Sequence, residues 1–236
     1  TTGDPKGVLL THASILANLD SIYHIVPRGE YRLISLLPVS HMLEQTPGIL
    51  MALNYGAEVT YVPSRLPATI MQAMRRRRPN MLVVVPLLLD LLMRGIEREV
   101  RARGKWRAWQ ALHLLARGLP FPVRRLLFRS VLATFGGELR MLCCGGARLE
   151  PELARAWERM GVMVIEGYGA TECAPLVTGN TPSRRVAGSV GRAVLGVELR
   201  VSPEGELQVR GANVTSGYWR NEPATAAAFT ADGWYR

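Results

Sequence analysis

The sequence predicts an α/β fold in which mostly parallel sheets are covered by helices. Short apolar runs, rich in β-branched residues, alternate with helical patterns from residue 11 to about residue 165. This alternation is typical of parallel strands joined by crossover helices. Glycine-rich turns directly follow two of the runs, at Gly145 and Gly167. In open α/β sheets, ligands bind beyond the carboxyl ends of strands, where these turns lie.

Each predicted element has a local signal. Thr11 is a suitable N-cap for the first helix, and Gly56 lies just past the end of the second, where glycine is common. Pro38 ends the first strand. The predicted strands are 31–37, 57–62, 81–85, 139–143 and 162–165, and the predicted helices are 11–26, 43–54, 67–77, 87–103, 106–117, 123–134 and 151–160.

The pattern changes after about Asn180. Residues 188–201 and 206–209 predict short strands on either side of a turn at 203–205, which together indicate a β-meander. We therefore expect two units. The first is an α/β region over 1–180, with a basic helical insertion at about 94–134, and the second is a C-terminal β-rich subdomain over 181–236.

Basic residues are concentrated in the predicted insertion. The chain carries a net charge of +10, and ten basic residues lie between Arg94 and Arg129, where only two glutamates oppose them. Tryptophan, phenylalanine and leucine are interleaved with these charges, a pattern suited to a membrane interface. An ordinary insertion, with its apolar face on the core and its arginines in water, has the same pattern. Charge alone also allows a nucleic-acid-binding module, whose binding would be sensitive to salt.

Cysteine usage and hydropathy indicate a cytoplasmic protein. Cys143, Cys144 and Cys173 form neither a disulfide framework nor a zinc-binding spacing. No signal peptide is visible, and the most apolar run, 81–93, is too short to cross a bilayer. Peripheral attachment to the inner face of a membrane through the basic helices is a second expectation.

The first seven residues, TTGDPKG, have the composition of a phosphate-binding loop. Glycine lets backbone amides approach an anion closely, and successive N–H groups form an anion-binding concavity. Thr1 and Thr2 add hydroxyl donors, and Lys6 adds a mobile positive charge. A surface turn at the terminus is the alternative, because short glycine-rich motifs often match by chance.

Two further glycine-rich stretches, CCGGA at 143–147 and EGYGATE at 166–172, follow predicted strands. Tyr168 can stack on a base, Thr171 can hydrogen-bond a phosphate, and the Glu172 carboxylate can bind Mg²⁺ through oxygen. Two tight turns with a core tyrosine are the alternative interpretation.

Taken together and in this order, these stretches resemble the adenylate-forming superfamily of acyl-CoA synthetases, luciferases and adenylation domains. GELQVRG at 205–211 and GYWRNEPATAAAFTADGWYR at 217–236 extend the resemblance over essentially the whole chain. PVSHMLEQTPG at 38–48 and the basic insertion are most similar to long-chain fatty acyl-CoA synthetases. In some of these synthetases, a tryptophan just after the position of His41 gates the acyl tunnel. In this sequence Met42, Leu43 and Glu44 follow His41 instead.

The resemblance implies a ligase that uses ATP, Mg²⁺ and coenzyme A to activate a long-chain fatty acid. Its catalytic residues would be Lys6, His41, Thr171 and Glu172, with Glu172 as the metal ligand. Lys6 would grip the β- and γ-phosphates, Tyr168 would stack on adenine, and His41 would lie near the carboxylate. The implied nucleotide-binding set is Thr1, Thr2, Gly3, Lys6, Gly7, Gly145, Gly146, Ala147, Tyr168, Gly169 and Thr171.

The resemblance also implies parts that lie outside residues 1–236. The family's ribose-binding aspartate and its small C-terminal domain would follow Arg236, so we expect this chain by itself to have little or no activity. An adenylating relative that passes the acyl group to a carrier protein or a phospholipid is an alternative. A non-enzymatic membrane- or nucleic-acid-binding module is a third class, although no nucleic-acid partner is expected. Acyl chain length and oligomeric state stay open.

Overall fold

The computed structural model describes residues 5–64 and 66–236. The strands are β1 (Arg32–Ser35), β2 (Glu58–Tyr61), β3 (Met81–Val84), β4 (Met141–Cys144), β5 (Met163–Gly169), β6 (Leu176–Gly179), β7 (Arg192–Ala193), β8 (Val197–Val201) and β9 (Leu207–Gly211). The α-helices are α1 (His12–Tyr23), α2 (Met51–Tyr55), α3 (Pro67–Arg77), α4 (Pro86–Ala102), α5 (Trp106–Leu115), α6 (Phe121–Leu127), α7 (Arg129–Leu132), α8 (Pro151–Arg159) and α9 (Glu222–Ala228).

A seven-stranded sheet forms the centre of the fold, in the order β2-β1-β3-β4-β5-β6-β7. The pairs from β2 through β5 are parallel, whereas β6 and β7 add on as antiparallel strands. The predicted fold class, a mostly parallel sheet with helices, is therefore confirmed. Because parallel strands all point the same way, β1, β3, β4 and β5 end at a common edge.

The sheet is buried on both faces, which explains the continuous apolar runs in its central strands. All four residues of β3, MLVV, are buried, as is typical of a parallel strand covered on both sides. One face packs beneath α3, α4, α5 and α8, with Trp157 and Met74 fully buried. The other face packs against α1, where Leu19 and Ile22 are buried.

Several helices begin where the sequence predicts them, because their first turns carry a suitable residue. The Thr11 side chain accepts a hydrogen bond from the Ser14 amide, and Ser14 bonds back to the Thr11 amide, which makes a capping box. Helices α3, α4 and α8 each begin with proline, whose fixed φ and missing N–H suit that position.

The predicted α-helix over 43–54 is wrong in its first half. Residues Glu44–Leu50 form a π-helix and only Met51–Tyr55 are α-helical. Pro47 lies inside the π-helical segment, and its ring cannot fit the regular i to i−4 hydrogen-bond pattern of an α-helix. The segment lies beside the edge of the sheet. π-Helical turns inside helices are frequent at functional sites.

The predicted helix over 123–134 is divided at Phe128, between α6 and α7. Arg124 donates hydrogen bonds to the carbonyls of Leu119 and Glu158. Arg125 donates to the carbonyls of Leu139 and Gly137. These two arginines therefore satisfy backbone acceptors inside the molecule, and their charges are not part of the exposed basic surface.

The strand predicted over 188–201 is two strands, because the chain turns at Leu195-Gly196 between them. The first, β7, joins the main sheet through β6, and the second, β8, forms a separate antiparallel hairpin with β9. Helix α9 was not expected, although Asn221 caps it by accepting from the Ala224 amide. The division into units at residue 180 stays a prediction.

Candidate functional site

A cleft of about 550 Å³ lies at the edge where the parallel strands end. The turn after β4 and the last three residues of β5 supply its floor, and the segment beginning at Pro38 covers one side. The sequence predicts a strand end at residue 165 and a turn at Gly167, which is wrong, because β5 continues through Gly169 and pairs there with β6. Six of the site residues predicted from the sequence line this one cleft, namely His41 and five residues of the two glycine-rich stretches. These five are Gly145, Gly146, Tyr168, Gly169 and Thr171.

The glycine-rich turn after β4 touches the glycine-rich end of β5 across the floor of the cleft. The Gly145 amide donates to the Val84 carbonyl, which ties the turn after β4 to the neighbouring strand. A Cβ on Gly145 would lie 3.3 Å from the carbonyl oxygen of Gly167. A side chain at Gly145 would therefore push this turn away from β5 or fill the cleft, so a ligand can approach the backbone closely here.

Tyr168 and Gly169 lie at the end of β5, next to this turn. Tyr168 is 41% exposed, so its ring is available to a flat ligand. A Cβ on Gly169 would collide with the carbonyl oxygen of Pro175. The chain therefore requires glycine beside Tyr168 for a packing reason, whatever the cleft binds.

The turn that carries Thr171 and Glu172 is held by buried polar side chains. Asn18 donates to the carbonyls of Cys173 and Leu176, and Asn213 donates to the same two carbonyls. Both asparagines are almost fully buried, where such hydrogen bonds fix a single geometry. No sequence motif singled them out, because a lone asparagine has no local pattern and the two are 195 residues apart.

Glu172 faces a second set of residues that the motifs did not reveal. The Tyr218 hydroxyl donates to Glu172 Oε1 at 2.8 Å, and the Thr215 amide donates to the Glu172 carbonyl. Residues near the N-terminus reach the same place, because Val8 pairs with Tyr218 and the Trp219 amide donates to the Gly7 carbonyl.

Lys6 lies on the other side of Tyr218. Its Nζ is 5.1 Å from the centre of the Tyr218 ring, within the range of a cation–π contact. Tyr218 therefore connects Lys6 and Glu172, which are 166 positions apart in the sequence. Lys6 and Gly7 are exposed, as a group that binds a phosphate must be before the ligand arrives.

Among the described residues, Ala147 is the predicted site residue that lies outside this arrangement. Ala147 follows Gly146 and is exposed, but it does not line the cleft. Thr1, Thr2 and Gly3 lie outside the described residues. The roles of these residues in binding stay predictions.

The cysteines near the cleft are unsuited to act as nucleophiles. Burial raises the pKa of the Cys143 thiol to about 12. Burial and the neighbouring Glu166 carboxylate raise the pKa of Cys144 as well. A thiol attacks as its thiolate, and these groups stay protonated at neutral pH.

Glu172 fits Mg²⁺ as a single carboxylate ligand. Residues 5–64 and 66–236 contain no group of three or more His, Cys, Asp or Glu side chains that could hold a metal ion by themselves. Mg²⁺ is commonly bound by one or two carboxylates together with substrate phosphates and water. One half-buried glutamate, joined through Tyr218 to Lys6 of the predicted phosphate loop, would suit that mode.

Comparisons with known proteins identify the family of this chain. A model described as AMP-binding enzyme matches residues 1–219. A long-chain-fatty-acid–CoA ligase of Mycobacterium bovis is 32% identical over 100% of this chain and 42% of that protein. A chloroplastic long-chain-fatty-acid–[acyl-carrier-protein] ligase of Arabidopsis thaliana is 27% identical over 100% of this chain and 39% of that protein. The chain spans about two-fifths of the length of these curated relatives.

A solved structure shares the fold. The N-terminal domain of FACL13 from Mycobacterium tuberculosis has a TM-score of 0.75 and 22% sequence identity, covering 100% of this chain and 54% of that one. The parallel sheet and its helices therefore have the fold of that N-terminal domain.

Proposed function

Because the chain belongs to the AMP-binding enzyme family, we propose that it activates a long-chain fatty acid with ATP and transfers the acyl group to coenzyme A. One observation carries this proposal. Tyr218 holds Glu172 on one side and faces Lys6 on the other, next to a cleft whose floor is glycine backbone. This arrangement offers positions for a metal ion, a polyphosphate and a flat base beside one another.

The first half-reaction joins the two substrates. A carboxylate oxygen attacks the α-phosphorus of ATP, the bond from that phosphorus to the β-phosphate bridging oxygen breaks, and pyrophosphate leaves with the electron pair. Lys6 would hold the β- and γ-phosphates and Thr171 the α-phosphate, while Tyr168 stacks on adenine. These residues act by aligning two anions and by stabilising charge on the phosphate oxygens.

The second half-reaction consumes the acyl adenylate. The sulfur of coenzyme A attacks the acyl carbonyl carbon, the carbon–oxygen bond to AMP breaks, and the thiol proton passes to solvent. Mg²⁺ bound to Glu172 would neutralise phosphate charge in the first step. His41 lies on the cleft wall, where it can contact the carboxylate end of the acid.

The alternative function uses the same adenylation step and differs only in the molecule that accepts the acyl group. One relative is named as an acyl-carrier-protein ligase and another as a CoA ligase, so similarity alone does not choose between these thiols. Transfer to a carrier protein or a phospholipid would follow the same adenylation step. Product analysis with coenzyme A and with acyl carrier protein as competing acceptors separates the two.

The test of the proposal is carboxylate-dependent exchange between ATP and pyrophosphate, measured on the full-length protein with acetate, octanoate and palmitate. We expect Mg²⁺-dependent exchange that is fastest with palmitate. Faster exchange with a shorter acid would keep the mechanism and change the substrate. A folded protein with no exchange on any acid would contradict the proposal and favour a non-enzymatic binding module.

We also propose that the basic helical insertion, at about 94–134, holds the protein against an anionic membrane surface. Between Glu99 and Glu138 the sequence contains eight basic residues and no acidic residue, and all of these basic residues except Arg124 and Arg125 are exposed. Trp109 and Phe128 are buried and pack against His113, so they belong to the core and not to this surface. Its apolar part is instead Leu114, Leu115 and Leu126, which are 63%, 59% and 65% exposed.

Such a surface combines leucines that can enter the headgroup region with cations attracted to anionic lipid. No helix among the described residues combines the length and apolar character that a membrane crossing needs.

Sedimentation with lipid vesicles tests the membrane proposal. We expect binding to phosphatidylglycerol vesicles at low salt, weaker binding at high salt, and little binding to phosphatidylcholine. Replacing both Leu114 and Leu115 with serine should weaken binding about tenfold, because less apolar surface enters the interface. The control is Leu53→Ser, which changes a leucine on α2 that is even more exposed, at 73%. Equal loss in both variants, or no lipid-dependent binding, would contradict the proposal.

A further inference from the structure

We infer that Thr215 is a positioning residue for the proposed adenylation, because it joins segment 7–9, which directly follows Lys6, to the turn that carries Glu172. Its hydroxyl bonds to that segment and its amide bonds to that turn. This inference rests on the proposed function, in which Lys6 holds the β- and γ-phosphates and Glu172 holds Mg²⁺. Thr215 itself does not line the cleft.

The hydroxyl of Thr215 contacts the segment that follows Lys6. It donates to the Leu9 carbonyl at 2.7 Å, although the two residues are 206 positions apart. The Gly217 carbonyl, at 2.9 Å, is a second acceptor for the same proton, and the Gly217 amide donates to the hydroxyl at 3.1 Å. A hydroxyl can donate and accept at the same time. Thr215 is only 4% exposed, and hydrogen bonds in such a buried place fix the geometry of their partners.

The amide of Thr215 contacts the turn that carries Glu172. It donates to the Glu172 carbonyl at 2.6 Å. The carboxylate of the same glutamate accepts from the Tyr218 hydroxyl at 2.8 Å. Both contacts come from the short stretch 215–218, so one piece of chain orients the backbone and the side chain of Glu172.

This stretch also pairs with segment 7–9 through its backbone. The Leu9 amide donates to the Gly217 carbonyl at 3.0 Å, and the Trp219 amide donates to the Gly7 carbonyl at 2.7 Å. A pairing of two short strands is only marginally stable by itself. The Thr215 hydroxyl adds a third hydrogen bond to the pairing. Because a side chain makes this bond, a substitution can remove it and leave the backbone bonds in place.

The consequence concerns the relative position of Lys6 and Glu172. In the proposed reaction both residues act on one nucleotide, and Lys6 lies three positions before Leu9. Displacing a reacting group by about 1 Å can cost a hundredfold in rate. Thr215 therefore acts on the nucleotide only through the two segments that it joins, and its loss should weaken the grip on the β- and γ-phosphates.

The experiment measures palmitate-dependent ATP–pyrophosphate exchange by full-length protein carrying Thr215→Val. Valine keeps the shape of threonine and the amide bond to Glu172, but the Leu9 carbonyl loses its hydroxyl donor. We expect KM for ATP to rise about tenfold, whereas KM for palmitate stays within twofold of wild type. The inhibition constant of AMP, which lacks the β- and γ-phosphates, should also stay within twofold. Thr215→Ser keeps the hydroxyl and should bring KM for ATP back to within threefold of wild type.

Ser21→Ala is the matched control. Ser21 is 1% exposed, and its hydroxyl donates to the Leu195 carbonyl at 2.8 Å across 174 positions. This variant also removes a buried hydrogen bond between distant segments, so it should lose stability as well, but KM for ATP should stay within twofold of wild type. A merely structural role for Thr215 would make the two variants alike, and that result would overturn the inference.

Hydrogen exchange of the wild-type protein tests the same link without a substitution. Residues 213–219 do not line the cleft, so a nucleotide in the cleft reaches them through the segments that they join. We expect ATP with Mg²⁺ to slow amide exchange in 213–219 as well as in 7–10. Slowing in 7–10 alone would contradict the role of Thr215, and this result does not depend on the folding of any variant.

The outcomes separate this inference from the proposed function. If the wild type exchanges with palmitate and Thr215→Val has the same KM for ATP, the inference is wrong and the proposed function stands. If the wild type shows no exchange with any acid, the proposed function fails, and binding of fluorescent mant-ATP then decides the role of Thr215. Weaker binding by Thr215→Val than by Ser21→Ala would support it. Equal binding, or no binding by the wild type, would overturn it.

Discussion

Replacing Glu172 with glutamine is expected to lower kcat/KM for carboxylate-dependent ATP–pyrophosphate exchange about 10²- to 10³-fold. The change removes a negative charge where Mg²⁺ would bind and keeps the size of the side chain. Removing one group that stabilises charge developing in a transition state has an effect of this order. Here that group would be the Mg²⁺ ion that Glu172 holds against the phosphates. The Mg²⁺ concentration that gives half-maximal exchange should also rise, which a purely structural role for Glu172 would not produce.

Tyr218→Phe is the matched control for this variant. It keeps the ring beside Lys6 and the carboxylate of Glu172, and it removes only the hydroxyl that donates to Glu172 Oε1. One hydrogen bond to a charged group contributes about 1.5–3 kcal/mol, so we expect a loss of roughly tenfold to a hundredfold with little change in the Mg²⁺ requirement. Exchange by Glu172→Gln within threefold of wild type would remove Glu172 from the site.

Replacing Gly191 with alanine is expected to lower the free energy of unfolding by more than about 3 kcal/mol, since backbone collisions in a core cannot relax cheaply. Gly191 has φ +84°, and a Cβ there would collide with the backbone of Gly179 and Asn180. The alanine therefore meets two problems, a left-handed backbone and atoms that belong to the sheet. Denaturant unfolding followed by circular dichroism measures the loss.

Gly205→Ala separates these two causes. Gly205 has φ +85°, but nothing lies within 4 Å of the position its Cβ would take. A left-handed backbone costs alanine about 1–2 kcal/mol relative to glycine, so we expect a loss of that size without the collision. Similar losses in the two variants would show that packing around Gly191 is looser than described.

The local parts of the fold were predictable because local residues decide them. Thr11 caps α1 through its own first turn, and Gly56 ends the second helix with φ 65°. The runs at 81–85 and 139–143 predict the central strands because a strand covered on both faces has no polar alternation. Pro47 can be read from the sequence as well, but its effect depends on what the segment packs against. The sequence therefore does not predict the π-helix.

The order of the strands and the partners of the site residues required the tertiary structure. The sequence by itself determined which turns are rich in glycine and which side chains follow them, so Tyr168, Thr171 and Glu172 could be selected as candidates. Only the fold decided that Tyr218 would hold Glu172 and that Asn18 and Asn213 would fix the same turn. It also decided that Ile25 would rest on Gly179. Hydrogen bonds and contacts between distant residues have no periodic signal along the chain, since their geometry is set only when the sheet has assembled.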